Sequence, residues 1–151
     1  MTDRDRHWLK AAIKLSHDSP VVTFAYAVGA IVVDSDGLQL ANGFSREADA
    51  YVHAEESALA KLAGADLSQA TIYTSMEPCS VRKSRPKTCA QLILAAGITR
   101  VVFALREPPL LADCHAVEFL QAAGVEVVEI PDLADEVRAV NAHLLLPGQS
   151  Q

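Results

Sequence analysis

Two short segments hold the residues with the most chemistry in this chain. One is His53-Ala54-Glu55; the other is Glu77-Pro78-Cys79, followed after nine intervening residues by Cys89. One imidazole nitrogen and two thiolates form a ligand set for Zn²⁺ that leaves the fourth tetrahedral position to water, as catalytic rather than structural zinc requires. Zinc so held brings the pKa of water towards about 7, and a carboxylate is then needed to take and return protons. Glu55, two residues beyond His53, is placed to be that carboxylate. Positions two apart on a regular helix point about 200° away from each other. Both can face one site only if His53 stands where the helix is just beginning.

The flanking sequence predicts the elements that would hold these groups. Trp8, Leu9, Ala12, Ile13 and Ser16 recur at helical spacing and predict a first helix over 4–17. Tyr26 to Val33 is an apolar, β-branched run closed by Asp34-Ser35-Asp36-Gly37, which predicts a strand and a hairpin, with a second strand over about 38–43. Glu55, Leu59 and Leu62 predict a helix over 53–63 ended by Gly64, and 70–75 reads as a third strand. A helix over about 87–96 would begin beside Cys89, its N-terminal partial charge favouring that thiolate. Ala95-Ala96-Gly97-Ile98 and Ala122-Ala123-Gly124-Val125 each close a helical pattern with glycine and open a β-branched run. Two helix–Gly–strand units in succession predict parallel strands joined by crossover helices. A last helix should run from after Pro131 to about His143. The expected architecture is a three-layer α/β/α domain with a five-stranded mixed sheet whose last strands are parallel. It occupies 1–146 as a single domain, with 147–151 as a flexible tail.

Composition bounds the function. The 151 residues are 50% hydrophobic and 21% charged, with a formal net charge of −6. That balance counts against a polyanion-binding role, since nucleic-acid affinity comes largely from Lys and Arg neutralising phosphates. No apolar run is long enough to span a bilayer, the first ten residues are charged, and three cysteines do not make a disulfide scaffold. The expectation is a cytoplasmic protein with no membrane partner.

Other residues admit two readings each. Arg82, Lys83, Arg85 and Lys87 place four cations in six positions between the two cysteines; the run is either a solvated loop or a clamp for a substrate phosphate. Tyr26 and Phe24 are either core or stacking surfaces for a ring. Glu56 reads as a solvated helix face, and Glu77 as a turn residue supporting the ligands. Cys114-His115 reads as an ordinary helix start rather than a second metal site.

The order of elements around H-A-E and E-P-C resembles the cytidine deaminase superfamily, whose zinc enzymes carry H-x-E and P-C-x-x-C patterns. Within it the chain most resembles the diaminopyrimidine deaminases of riboflavin biosynthesis, through Val28-Gly29-Ala30-Ile31-Val32-Val33, His53-Ala54-Glu55, Glu77-Pro78-Cys79-Ser80, Ala95 to Val102, and the turn Arg106-Glu107-Pro108. The resemblance covers roughly residues 6–130. It implies Zn²⁺ on His53, Cys79 and Cys89, proton transfer by Glu55, and hydrolytic removal of an exocyclic amine from a small heterocycle, an aminopyrimidine base or nucleotide. It also implies a homodimer or larger homo-oligomer. Tyr26, Arg82, Arg85 and Lys87 are the expected substrate contacts. The chain departs from the family pattern in three places: Ala25-Tyr26 stands where Asn-Pro is usual, Val81 replaces a histidine, and the loop between the cysteines is one residue longer. A nucleic-acid base deaminase and a non-catalytic zinc protein of the same fold are the alternatives.

Overall fold

In a computed structural model of the chain, residues 2–107 and 115–145 are described. The expectations for the 147–151 tail and for Cys114 fall outside them. In chain order the elements are α1 (Asp3–Ser16), β1 (Gly29–Val33), β2 (Gln39–Phe44), α2 (Ala54–Ala60), β3 (Thr71–Met76), α3 (Cys89–Ala95), β4 (Arg100–Leu105), α4 (Ala116–Ala122), β5 (Glu126–Glu129), a 3₁₀ turn (Pro131–Leu133), α5 (Ala134–Val140) and α6 (Ala142–Leu145).

The strands form one mixed sheet in the order β2-β1-β3-β4-β5. β1 runs antiparallel to both β2 and β3, whereas β3, β4 and β5 are parallel. Every residue of β1 is buried, because helices cover both faces of the sheet. Ile31, Val33, Tyr73 and Val102 pack with Leu9 and Ile13 of α1 and with Val137 of α5. Ala30, Val32, Ile72 and Val101 point the other way, onto Ala54 and Ala58 of α2, Ile93 of α3 and Leu120 of α4. The period-two alternation of the strands thus sorts the core into two layers, and the three-layer architecture is as expected. Gly97 and Gly124 take φ of +84° and +90° between the end of each helix and the strand that follows, the left-handed turn predicted for both helix–Gly–strand units.

Some boundaries differ from the sequence reading, for identifiable reasons. The first strand starts at Gly29 rather than Tyr26 because the backbone before it is held by side chains. Ala27 N–H donates to Asn141 Oδ1 at 2.7 Å, Asn141 Nδ2 donates to Ala27 O at 3.1 Å, and Val28 N–H donates to Ser45 Oγ at 2.9 Å. The same buried Asn141 interrupts the last helix, which divides into α5 and α6 around it. α2 ends at Ala60, after which Lys61 turns its Nζ back to Asn42 O and the Glu47 carboxylate.

α2 lies hard against β2. A Cβ on Gly43 would stand 2.5 Å from Ala54 O and 2.6 Å from Ala58 N, so only glycine permits this approach. The contact fixes where α2 begins, and therefore where His53 sits.

Candidate metal centre

The three sequence-predicted ligands come from three breaks in the fold. His53 is the N-cap of α2, in extended backbone (φ −87°, ψ 160°). Cys79 lies just past the carboxyl end of β3, and Cys89 is the first residue of α3. The site is therefore outside the carboxyl ends of parallel strands, where open α/β sheets form their crevices. His53 Nδ1 is 3.3 Å from Cys89 Sγ and 3.5 Å from Cys79 Sγ, and all three ligand atoms lie within 4.8 Å of one another. A tetrahedral zinc with ordinary Zn–N and Zn–S bonds holds such atoms about 3.5–3.8 Å apart, so the donor set fits the ion in both chemistry and spacing. Among the described residues no fourth side chain joins the cluster, so one coordination position would be open.

The electrostatics suit metal binding. Cys79 is pulled down to about 4, first by the hydrogen bond from the Cys89 thiol and further by His53 and the Cys89 backbone N–H. Cys89 is raised well above the usual thiol range by sharing its proton with Cys79 and by burial. The α3 N-terminus was expected to favour the Cys89 thiolate. Instead Cys89 N–H donates to Cys79 Sγ at 3.1 Å, because the first amide of the helix points at the neighbouring ligand rather than at its own side chain. Burial lowers the proton affinity of His53, but the Cys79 sulfur beside it outweighs that and raises it.

Glu55 is the second residue of α2 and is 4% exposed. With His53 on the extended N-cap, both side chains reach one cavity, which resolves the angular conflict of a regular helix. Burial raises the Glu55 carboxyl above the usual range, which brings it nearer the pH at which it can both accept and donate a proton. Thr74 Oγ1, on β3, donates to Glu55 Oε2 at 3.1 Å.

His53, Cys79 and Glu55 line one cleft of about 480 Å³, together with Tyr26, Arg82 and Lys83. Tyr26 is both buried and on the cavity wall, with its hydroxyl pushed up to about 12 by burial and by Glu107. Phe24 and Tyr51 also line the cleft, exposed at its mouth with ring centroids 6.5 Å apart. Arg85 and Lys87 are not on the wall. Arg85 pairs with Asp49 and approaches Glu56 Oε2 at 3.6 Å, and Lys87 is exposed. Glu56, read from sequence as a solvated face, is half-buried and accepts the His53 backbone N–H at 3.2 Å. Glu77 is buried and accepts the N–H groups of Glu107 and Val117, so it is the turn residue expected, tying β4's exit and α4 to the ligand loop.

Two residues of the site were not read from the sequence. Thr74 is a fully buried hydroxyl beside the equally buried Ser75, and nothing in the strand's sequence distinguishes the one that faces Glu55. Arg46 adopts φ +62° on the cleft wall, a left-handed conformation rare outside glycine and common near functional sites. Its guanidinium donates to Pro20 O at 2.7 Å and to Tyr26 O at 3.3 Å, joining the loops on either side of β1 and β2.

Residues 2–105 match the family model of the cytidine and deoxycytidylate deaminase zinc-binding region. The chain is 33% identical to a diaminohydroxyphosphoribosylamino-pyrimidine deaminase of Schizosaccharomyces pombe, over 93% of this chain and 36% of that protein. It superimposes with a TM-score of 0.76 on a diaminohydroxyphosphoribosylaminopyrimidine deaminase/5-amino-6-(5-phosphoribosylamino)uracil reductase of Thermotoga maritima, at 31% identity, covering 91% of this chain and 39% of the other. A dCMP deaminase of cyanophage S-TIM5 gives a TM-score of 0.66 at 25% identity, covering 85% and 99%. The chain thus spans little more than a third of the length of the curated relatives it matches.

Proposed function

The chain belongs to the cytidine and deoxycytidylate deaminase family, and we propose from that premise that it is a zinc-dependent hydrolytic deaminase of an aminopyrimidine base or nucleotide. The observation that carries this reading is the placement of Glu55: a buried carboxyl, two residues from one ligand, on the same cavity wall as His53 and Cys79.

Zinc on His53, Cys79 and Cys89 would supply the Lewis acidity that makes water acidic near neutral pH. Glu55 Oε atoms take a proton from the attacking water and pass it to the ring nitrogen next to the amine-bearing carbon. Glu55 then takes the second proton, from the hydroxyl now attached to the ring carbon, and delivers it to the departing amine. A C–O bond forms, the C–N bond breaks, ammonia leaves and a ring carbonyl remains, with no change of oxidation state. Thr74 holds Glu55 in register between these transfers. Tyr26 and the loop 81–84 form part of the wall of the cavity that would take the ring. Arg85 and Lys87 reach an anionic substituent only if substrate draws their loop inward.

The pyrimidine assignment rests on the names of the relatives, all deaminases of aminated pyrimidines. The chain's net charge of −6 counts against a nucleic-acid base deaminase. Among the described residues no helix is long and apolar enough to cross a membrane, and we place the protein in the cytoplasm as a homodimer or larger homo-oligomer. The test is ammonia release across cytosine, cytidine, CMP, dCMP, guanine, adenine and a diaminopyrimidine ribosylamino phosphate. Turnover confined to the pyrimidines supports the reading, and turnover of purines alone contradicts it.

A further inference from the structure

Arg82 sits in the loop between the two cysteine ligands, flanked by exposed Val81 and Lys83, yet its side chain is only 2% exposed. Four of the five N–H groups of its guanidinium face protein acceptors. Nη2 donates to Glu56 Oε1 and to Tyr51 O, each at 2.8 Å; Nε donates to Ser84 Oγ at 3.2 Å; and Nη1 faces Lys87 O at 3.5 Å. The oxygen it grips, Glu56 Oε1, also accepts the backbone N–H of His53 at 3.2 Å. One carboxylate oxygen therefore joins the backbone of the histidine ligand to the loop that carries both thiolates. The two partners are 26 residues apart in sequence, so nothing local obliges them to meet.

We propose that Arg82 is a positioning residue for the metal: through Glu56 it locks the Cys79–Cys89 loop onto the His53 turn and so sets how tightly the three ligands retain zinc. A solvated-loop role does not fit its burial. A substrate phosphate clamp does not fit its charge, which Glu56 already compensates, nor its N–H groups, four of which already face protein acceptors. The work calls for arginine in particular, because a planar fork reaches Glu56, Tyr51 O and Ser84 together, where a lysine ammonium on a flexible stem cannot span the same set. Partners that orient metal ligands from outside the coordination sphere typically alter metal affinity 10- to 100-fold when removed. The proposal rests on the metal reading of the three ligands and is independent of which ring is deaminated.

The experiment is zinc competition against a chromophoric chelator on the purified full chain, with thermal unfolding of each variant in zinc-free and zinc-loaded form. The variants are Arg82→Met, Arg82→Lys, Glu56→Gln and the Arg82→Met/Glu56→Gln double. The proposal expects Arg82→Met and Glu56→Gln each to weaken zinc binding about 10-fold or more, with the double little worse than either single change and Arg82→Lys failing to restore affinity. The rise in melting temperature on zinc loading should shrink in the same order. Zinc affinity within threefold of the parent protein in Glu56→Gln or Arg82→Met overturns the proposal, whether or not the zinc-free melting temperature falls. A raised KM with unchanged zinc affinity also overturns it, by returning Arg82 to the substrate. If Arg82→Met does not fold, Glu56→Gln decides alone. A parent protein that binds no zinc would sink the metal reading itself, a result distinct from any of these.

Discussion

Thr74 Oγ1 donates to Glu55 Oε2 at 3.1 Å inside the core, linking the middle strand of the sheet to the carboxyl that lies beside the ligands. The two residues reach each other because Thr74 is on the α2 side of β3 and Glu55 is in the first turn of α2. A donor to a charged carboxylate is worth about 1.5–3 kcal/mol, so this bond holds Glu55 in one orientation while it moves protons.

Replacing Glu55 with Gln keeps shape and removes the titrating oxygen. Turnover should fall at least about 100-fold while zinc content and melting temperature stay close to those of the parent, since general acid–base transfer contributes about 10²–10⁴. Steady-state ammonia release beside metal analysis checks this. Retention of more than a tenth of the turnover would exclude Glu55 as the proton carrier.

Thr74→Val is nearly isosteric and deletes only the donor. We expect kcat to drop about 10- to 100-fold with zinc content unchanged, and the Thr74→Val/Glu55→Gln double variant to be no slower than Glu55→Gln alone. Additive losses would mean that Thr74 acts elsewhere.

How far the sequence discloses this site follows from distance along the chain. His53, Glu55, Cys79 and Cys89 are legible because each belongs to a short motif at a structural break. The two-layer core is legible because strands alternate and helices close on Gly97 and Gly124. The Arg82–Glu56 and Thr74–Glu55 contacts are not, since each joins residues that only the sheet and its crossovers bring together. Glu56 looked solvated because a carboxylate followed by helix is usually so; the buried guanidinium that reaches it comes from a loop whose path no periodicity encodes. The break at Asn141 was hidden for the same reason, its partner Ala27 lying 114 residues away.

Far from the cleft, Asp5 fastens α1 to the sheet. Its carboxylate accepts from Arg100 Nη1 and Nη2 and from Tyr73 Oη, each at 2.8 Å. Arg100 holds this carboxyl well below the usual range despite burial. A depressed folded-state pKa gives stability that is complete above about pH 4, the unfolded value, and is lost as pH falls below it. Asp5→Asn should cost about 3 kcal/mol at pH 7, the low end for breaking a buried pair, because Arg100 is partly exposed. Urea unfolding at pH 7 and at pH 3 measures it: the gap between parent and variant should narrow at the lower pH. A gap that is equal at both would contradict the ion-pair account.

The most direct test of the central claim is a zinc titration of the metal-free chain, with ammonia release from an aminopyrimidine nucleotide followed at each addition. The account predicts no release without zinc, a linear rise, and a break at one zinc per chain. A chain carrying its full zinc that releases no ammonia from any aminopyrimidine, or one that releases it equally without zinc, would contradict the account.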